Sequence, residues 1–396
     1  LLNKKHDVTL FEKNDYLGGH THTHEILDGN NILNVDSGFI VYNENTYPNF
    51  IKLLDELEVD RQMTTMGFSV KSNHKDFEYS GNSLNSVFSQ RRNLFNPQFL
   101  RMLWDISRFN KKAINDIDNL SLEKTLDEYL KENSYSSSFI NNYIIPMGSA
   151  IWSTSPRMMV DMPALFFIKF FNNHGLLKIS NRPQWWVVKN GSNQYVKKII
   201  DRSSINIKLS SKIKSINREQ DKIQIATSQS KYNFDKVVIA THSDQALRLL
   251  ANPTSNEKNI LGNIKYQKNT ALIHTDTSIL PNRNRAWSSW NYLLGNQKDE
   301  AVILTYNMNI LQNLKSNLTY CVTINNNQKI NKNKIIKEIV YHHPLFTIDS
   351  VRAQQSYDKI NGFNNTFFCG AYWGNGFHED GVNSALKVCS KFNMSL

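Results

Sequence analysis

The stretch Phe367 to Lys387, FFCGAYWGNGFHEDGVNSALK, constrains the fold more than any other part of the chain. An apolar lead-in of strand type runs into Gly370, Gly374, Gly376 and Gly381, after which Val382, Ala385, Leu386 and Val388 fall at helical spacing. The order strand, glycine loop, helix sets a helix N-terminus, with its unpaired N–H groups, beside a loop that has few Cβ atoms to block a ligand. That suits an anionic or electron-accepting group. An ordinary glycine-rich turn would look the same, so other segments must decide.

Three of them fit a doubly wound sheet. His6 to Glu12, HDVTLFE, reads as a short strand ending in an acid, and an acid there can accept hydrogen bonds from a ribose. Lys13 to Thr23 supplies Gly18 and Gly19, where backbone can approach a phosphate, and Asp36, Ser37 and Gly38 close a second apolar run. Asp235 to Thr241, DKVVIAT, reads as a buried parallel strand, with Ser243 and Asp244 opening the helix that follows. Before it, Asn190 to Ile200 gives a glycine turn and a helix, and Ile205 to Ile225 alternates like antiparallel strands.

Two excursions separate these pieces. The first holds a helix over Tyr47 to Leu57, a hairpin in FSVKSNHKDFEYSG, helix from about Ser83 to Ile117 broken at Asn96–Pro97, and a further helix N-capped by Ser121. It ends in a run, ALFFIKFF, that places Phe166, Phe167, Phe170 and Phe171 on one broad helical side, with Trp185 and Trp186 close after. Such a side is a buried core helix, a greasy wall for a lipid-like substrate, or a membrane-dipping patch. The second excursion, from about Glu257 to Phe363, carries strands in TALIHT and AVILTY and a low-complexity patch, NNNQKINKNKIIK, that reads as a loop and a solvated helix start.

Composition narrows the setting. A chain of 396 residues with 40% hydrophobic content can bury two domains, or one core with an inserted lobe. Cys321, Cys369 and Cys389 form no C-x-x-C pair, which argues against a disulfide framework or zinc ribbon and for a reducing, cytoplasmic compartment. The net charge of +11 comes without a long lysine or arginine block, so it reads as a solvated surface and no nucleic-acid partner is expected. His20, His22 and His24 alternate, and two could reach one ion, but no third ligand of suitable type lies nearby and no metal is expected. The opening LLNKKHDVTLFEK has no signal-peptide pattern and reads as the end of a helix entering a strand, as if the chain had been cut within its first unit.

Taken together, FEKNDYLGGHTHT, VDSGFIVYN, TYPNF, QRRNL, RPQWW, VVIATHSDQALRLL, WSSWNY and FCGAYWGNGFHEDG resemble the NAD/FAD-binding oxidoreductases of the flavin amine oxidase superfamily, relatives of phytoene desaturases, protoporphyrinogen oxidases and monoamine oxidases. The resemblance spans essentially the whole chain. It implies an α/β fold: an FAD-binding doubly wound domain of the glutathione-reductase type with an inserted α+β substrate domain. The FAD domain would take residues 1–46, 190–256 and 364–396, and the substrate domain 47–189 and 257–363. The resemblance further implies FAD contacts at Glu12 for the ribose, Gly18, Gly19 and His20 after it, Asp36 and Gly38 near the isoalloxazine, and Ile213 at the adenine. Gly370, Ala371, Gly376, Asp380, Gly381 and Val382 match the closing motif, whose helix would point at the flavin. The family's initial strand and G-x-G-x-x-G occur nowhere in this sequence, so the expectation is an N-terminally truncated chain, lacking its first βα unit, that retains FAD weakly or not at all.

The activity implied is hydride removal, as desaturation or oxidation, from a small lipophilic substrate. Relatives in bacteria are often encoded beside methyltransferases of the cyclopropane-fatty-acid type, which implies fatty-acyl chemistry and peripheral membrane contact. His378 is the candidate for proton transfer, and Tyr372 and Trp373 for walling the flavin ring. Amine oxidases often bridge a lysine to the flavin through water, and Lys265 or Lys268 would be the place to look. The rival readings are a flavin amine oxidase and a noncatalytic nucleotide-binding accessory protein of a lipid-modifying pathway. Oligomeric state is not encoded in any of these patterns.

Overall fold

The computed structural model describes residues 1–72, 75–178, 180–219, 222–295, 301–325 and 330–396. Short β-rich segments pair in parallel where the sequence reads as doubly wound. Thr9–Phe11 lies beside Asn206–Lys208, and Val237–Ile239 beside Thr366–Phe368. The two ladders share one apolar cluster, in which Phe11 packs with Ile239 and Phe368 and with Ala246, Ile260 and Leu261 from the helices Ser243–Leu249 and Ser255–Gly262. A three-stranded antiparallel sheet, Ile213–Arg218, Ile223–Thr227 and Lys231–Phe234, covers it through Ile216, Ile223 and Ile225. The antiparallel expectation from Ile205 onward therefore needs correcting at its start, because Asn206–Lys208 pairs with Thr9–Phe11 in parallel.

The two excursions meet in one seven-stranded sheet. Its order is Ile335–Pro344, Tyr266–His274, Cys321–Ile324, Ile303–Asn307, Trp290–Leu294, Phe68–Ser72 and Phe77–Ser80. The junction is the parallel pairing of Trp290–Leu294 with Phe68–Ser72. Against this sheet pack the helices Pro97–Asp116, Leu126–Glu132, Ser137–Phe139, Ile145–Trp152 and Ala164–Asn173, which bury Phe99, Met102, Phe109, Phe139, Phe167 and Phe171 in the largest apolar cluster.

Several local readings change. The region Ser83 to Ile117 is two short pieces, Leu84–Val87 and a 3₁₀ turn at Arg91–Phe95, before the long helix begins at Pro97 under an Asn96 cap that accepts from Gln98 N–H and Phe99 N–H. Ser121 caps nothing longer than a turn. The helix starts at Leu126, where Thr125 and Glu128 form a reciprocal capping box that satisfies two backbone donors rather than one. The end of the low-complexity patch forms the strand Ile335–Pro344, because Tyr266–His274 offers it a long antiparallel partner, while residues 326–329 lie outside the described residues. The hairpin in FSVKSNHKDFEYSG forms as Phe68–Ser72 and Phe77–Ser80, with residues 73–74 outside the described ones. The Phe-rich run is a core helix, with Phe167, Phe170 and Phe171 buried, so it is not a membrane-dipping patch. Among the described residues no helix is long and apolar enough to cross a membrane.

Candidate functional site

A cavity of about 920 Å³ is lined by segments far apart in the chain: Gly18 to Thr21, Gly38 to Val41, Ala240 to His242, Gly370 to Tyr372, and the start of the helix His378–Ser390. That helix shows the cavity His378, Gly381, Val382 and Ala385, which at i, i+3, i+4 and i+7 share one face. Its first turn brings the partial positive charge of a helix N-terminus to the wall. Asp380 lies off the cavity and accepts from Asn375 N–H at 3.0 Å and Phe377 N–H at 2.9 Å, shaping the glycine loop. Burial raises its carboxyl to about 6 against the pull of those two bonds.

Two backbone features fix the opposite wall. Gly18 and Gly19 have φ of 110° and 58°, left-handed values that cost a side chain dearly. A Cβ on Gly38 would fall 2.2 Å from the carbonyl oxygen of His20, to which Phe39 N–H donates at 2.8 Å. Gly38 is thus required by the close approach of two backbones, and that approach locks His20 in place.

His20 belongs to a wall of imidazoles with His242, His342 and His343. The His20 ring centroid lies 5.5 Å from that of His343 and 6.0 Å from that of His242. Asn269 Oδ1 accepts from Gln267 and Asn325, so its Nδ2 is the donor to His343 Nδ1 at 2.8 Å. The neutral His343 ring then carries its proton on Nε2. Burial pushes His343 and His242 down to about 4 and His20 well below its usual range, with repulsion from neighbouring histidines adding to His20 and His343. At neutral pH His20, His242 and His343 are therefore uncharged.

The remaining wall is aromatic. Trp152 lies 4.7 Å from Phe170, and Phe170 stacks on Phe377 at 4.8 Å and on His174 at 3.8 Å between centroids. Phe346 and Met147 continue it. Trp152 Nε1 donates to the Asn375 carbonyl at 3.1 Å, which ties this wall to the glycine loop. Among the described residues no carboxylate and no lysine lines the cavity, and Arg182 is its one guanidinium. Lys265 and Lys268 do not line it.

His378 joins the walls. Its ring stacks on Phe39 at 3.9 Å, and its Nε2 shares a hydrogen bond with Tyr195 Oη at 2.8 Å; that oxygen meets Thr21 Oγ1 at 2.5 Å. Burial lowers His378 to about 4, so the imidazole is neutral and the chain Thr21, Tyr195, His378 is a line of neutral donors and acceptors.

Of the residues singled out in the sequence, Gly18, Gly19, His20, Gly38, Gly370, Ala371, Tyr372, Gly376, His378, Gly381 and Val382 meet at the cavity. Glu12, Asp36, Ile213, Trp373 and Asp380 do not line it. Glu12 accepts from Asn14 N–H at 2.8 Å, and Ile213 packs against the Phe11 cluster. Asp36 is fully buried and accepts from Thr23 Oγ1, Ser192 N–H, Ser192 Oγ and Gln312 Nε2, so its oxygens are spent on fastening the hairpin to the Ser192 turn. Burial raises it to about 6 despite those bonds. Sequence reading missed Thr21, Phe39, Tyr195 and His343. Only His343, in YHHP beside a glycine-rich neighbour in space, had a visible chemical signal, and nothing in the chain order connects it to His20.

The fit to FAD rests on the glycine walls. A Cβ added at Gly19 or Gly381 would meet no atom within 4 Å, so bare backbone faces open space on both sides of the cavity. A family model described as flavin containing amine oxidoreductase matches residues 1–289. No curated protein matches the chain. Among solved structures, the CLA-producing fatty acid isomerase from P. acnes superposes with a TM-score of 0.70 at 12% identity, over 98% of this chain and 92% of that one. A protein described as a putative protoporphyrinogen oxidase from Exiguobacterium gives 0.66 at 13% identity, over 98% and 92%. Cyclohexylamine oxidase from Brevibacterium oxydans gives 0.65 at 12% identity, over 98% and 94%.

Proposed function

The chain belongs to the flavin-containing amine oxidoreductases, and from that membership as an FAD-dependent oxidoreductase we propose that it removes hydride from a small lipophilic substrate, fatty-acyl in class, held against the Trp152–Phe377 wall. The observation that carries this reading is the cavity lining itself: aromatic and aliphatic side chains, neutral imidazoles at His20, His174, His242, His343 and His378, the single guanidinium of Arg182, and no carboxylate among the described residues to hold a cation. We assign residues 1–46, 190–256 and 364–396 to the FAD-binding part and 47–189 and 257–363 to the substrate part, the latter sending Ile260, Leu261, Ala353 and Ile360 back into the apolar cluster of the former. The enzyme would act in the cytoplasm, in peripheral contact with a membrane that holds its substrate.

FAD, when bound, supplies the hydride acceptor. Gly18, Gly19, Gly38, Gly370, Ala371, Gly376, Gly381 and Val382 would hold it, since they bring bare or nearly bare backbone to the cavity. The helix N-terminus at His378 stabilises negative charge that develops beside it. Trp152, Phe170, Phe346 and Phe377 orient an apolar chain and keep water from it. His378 holds a proton position at Nε2 that Tyr195 and Thr21 can relay, because all three are linked by hydrogen bonds and are neutral at pH 7.

Amine oxidation is the competing reading, favoured by the likeness to cyclohexylamine oxidase. Anaerobic mixing of FAD-loaded protein with oleic acid or with cyclohexylamine separates the two. Bleaching of the flavin band by the fatty acid supports our reading, and bleaching by the amine alone overturns it.

A further inference from the structure

Among the described residues, one run of chain exposes several large apolar side chains, none of which lines the cavity. Phe95 is 86% exposed, Leu84 79%, Trp104 53%, and Leu94 and Leu100 are also exposed. Leu94 and Phe95 end the 3₁₀ turn Arg91–Phe95, and Asn96 caps the helix Pro97–Asp116 directly after it. Leu100 and Trp104, one turn apart, share the outer face of that helix. Leu84 belongs to the adjoining piece, which Arg91 binds through the Asn85 side chain and the Phe88 carbonyl.

The charge around these groups has one sign. Residues 81–115 contain Arg91, Arg92, Arg101, Arg108, Lys111 and Lys112 against the single acid Asp105. Asp105 is buried between Arg101 and Arg108, and both of those guanidiniums lie over the Trp104 ring, at 4.4 Å and 5.0 Å from its centroid. Arg92 and Lys112 pair with Asp76 and Asp116 just outside the stretch, whereas Arg91 and Lys111 make no ion pair among the described residues. The result is an indole flanked by cations, with exposed Leu100 one turn away and exposed Leu94 and Phe95 in the turn that leads into the helix. Burying such apolar groups at the boundary of a bilayer while cations meet anionic headgroups is favourable on both counts.

We propose that the face formed by Arg91–Phe95 and the first half of Pro97–Asp116 docks on an anionic phospholipid surface, with Phe95 and Trp104 entering the headgroup layer. This deepens and rests on the peripheral-membrane part of the reading above. A second copy of the chain fits poorly, since a two-fold contact would set this basic face against itself. A nucleic acid offers phosphates but no apolar layer for the exposed Leu84, Leu94 and Leu100, and heparin tests for a soluble polyanion below.

Cys321, Cys369 and Cys389 are buried, so Phe95→Cys introduces the exposed thiol that a polarity-sensitive dye will take. A dye at Leu27→Cys, on an exposed hairpin position, is the control. The full chain is mixed with phosphatidylcholine vesicles with and without phosphatidylglycerol, and with heparin. The docking model predicts a blue shift at position 95 and none at 27, only with phosphatidylglycerol present, and co-sedimentation weakened roughly tenfold in Phe95→Ser/Trp104→Ser. Circular dichroism of that double variant checks its fold, and the dye shift stands without it. Docking is overturned by absent co-sedimentation, by an equal shift at position 27, by an equal shift with heparin alone, or by a lipid-free dimer that shields position 95. No turnover enters this measurement, so a failure of the fatty-acyl reading would leave its outcome unchanged.

Discussion

The imidazole wall and the aromatic wall of one cavity are built on opposite principles. Trp152 and Phe170 come from apolar helices and Phe377 from the glycine loop that packs against them, and all three bind by area. His20, His242 and His343 are polar groups held dry by specific partners: the Gly38 approach, the Asn269 amide, and Tyr266, whose ring stacks on His242 at 4.4 Å. The first wall tolerates a change of shape but not loss of volume. The second tolerates neither protonation nor a crowded backbone.

Changes that separate the two walls follow in order of size. Trp152→Ala should cost about 3–5 kcal/mol of stability, because it empties a buried site, and should raise KM for an apolar substrate more than it shifts flavin affinity. Calorimetry and steady-state kinetics would check this. Gly38→Ala should cost about 1–3 kcal/mol through overpacking against the His20 carbonyl, with flavin affinity reduced alongside it. Equal damage by both variants to FAD and to substrate binding would break the comparison.

Acid should discriminate further. His174, His242, His274, His343 and His378 are each lowered from 6.5 to about 4, so on acidification the unfolded chain takes up those protons first. Stability from them is present above 6.5 and falls as pH drops toward 4. Asp36 and Asp380, raised to about 6, act in reverse: their contribution is present below 3.8 and is lost as pH rises through 6. The histidines outnumber them, and Tm should fall between pH 6.5 and 4. His343→Gln should flatten that slope by one proton, whereas Phe377→Leu should leave it unchanged. Smallest is Tyr195→Phe, expected to cost about 1 kcal/mol by unpairing Thr21 and His378, and to move the pH profile of flavin reduction. An unmoved profile would reduce the relay to a structural role.

The closing strand, glycine loop and helix were legible because helical spacing after a glycine cluster has few other meanings, and His378 to Ser390 forms that helix. The Gly18–Gly19 pair was legible for another reason: paired glycines after a strand-end acid allow close backbone approach, and both adopt left-handed φ. Asp36 was not: in sequence it resembles a cofactor contact, and only the fold reveals Thr23, Ser192 and Gln312 around its oxygens. Tyr195 and His343 sit on ordinary amphipathic elements, and their meeting with His378 and His20 depends on tertiary pairings that no local pattern carries. The Phe-rich run and the segment Leu94 to Trp104 differ in where their apolar groups end up. The first is the core helix its composition indicates, whereas the second keeps some apolar groups outside because the other face of its helix already fills the core with Phe99, Met102 and Phe109.

Gly381 gives the most direct test of the claim that this cavity is the FAD site. It lies in a regular helix, lines the cavity, and has no atom within 4 Å of an added Cβ, so Gly381→Leu should fold at least as well, gaining up to about 1 kcal/mol from helix propensity. Titration of the parent and variant proteins with FAD, followed by flavin fluorescence, should give a Tm that is unchanged or higher together with a flavin affinity lowered by at least about tenfold. Equal affinities at equal stability would contradict the assignment.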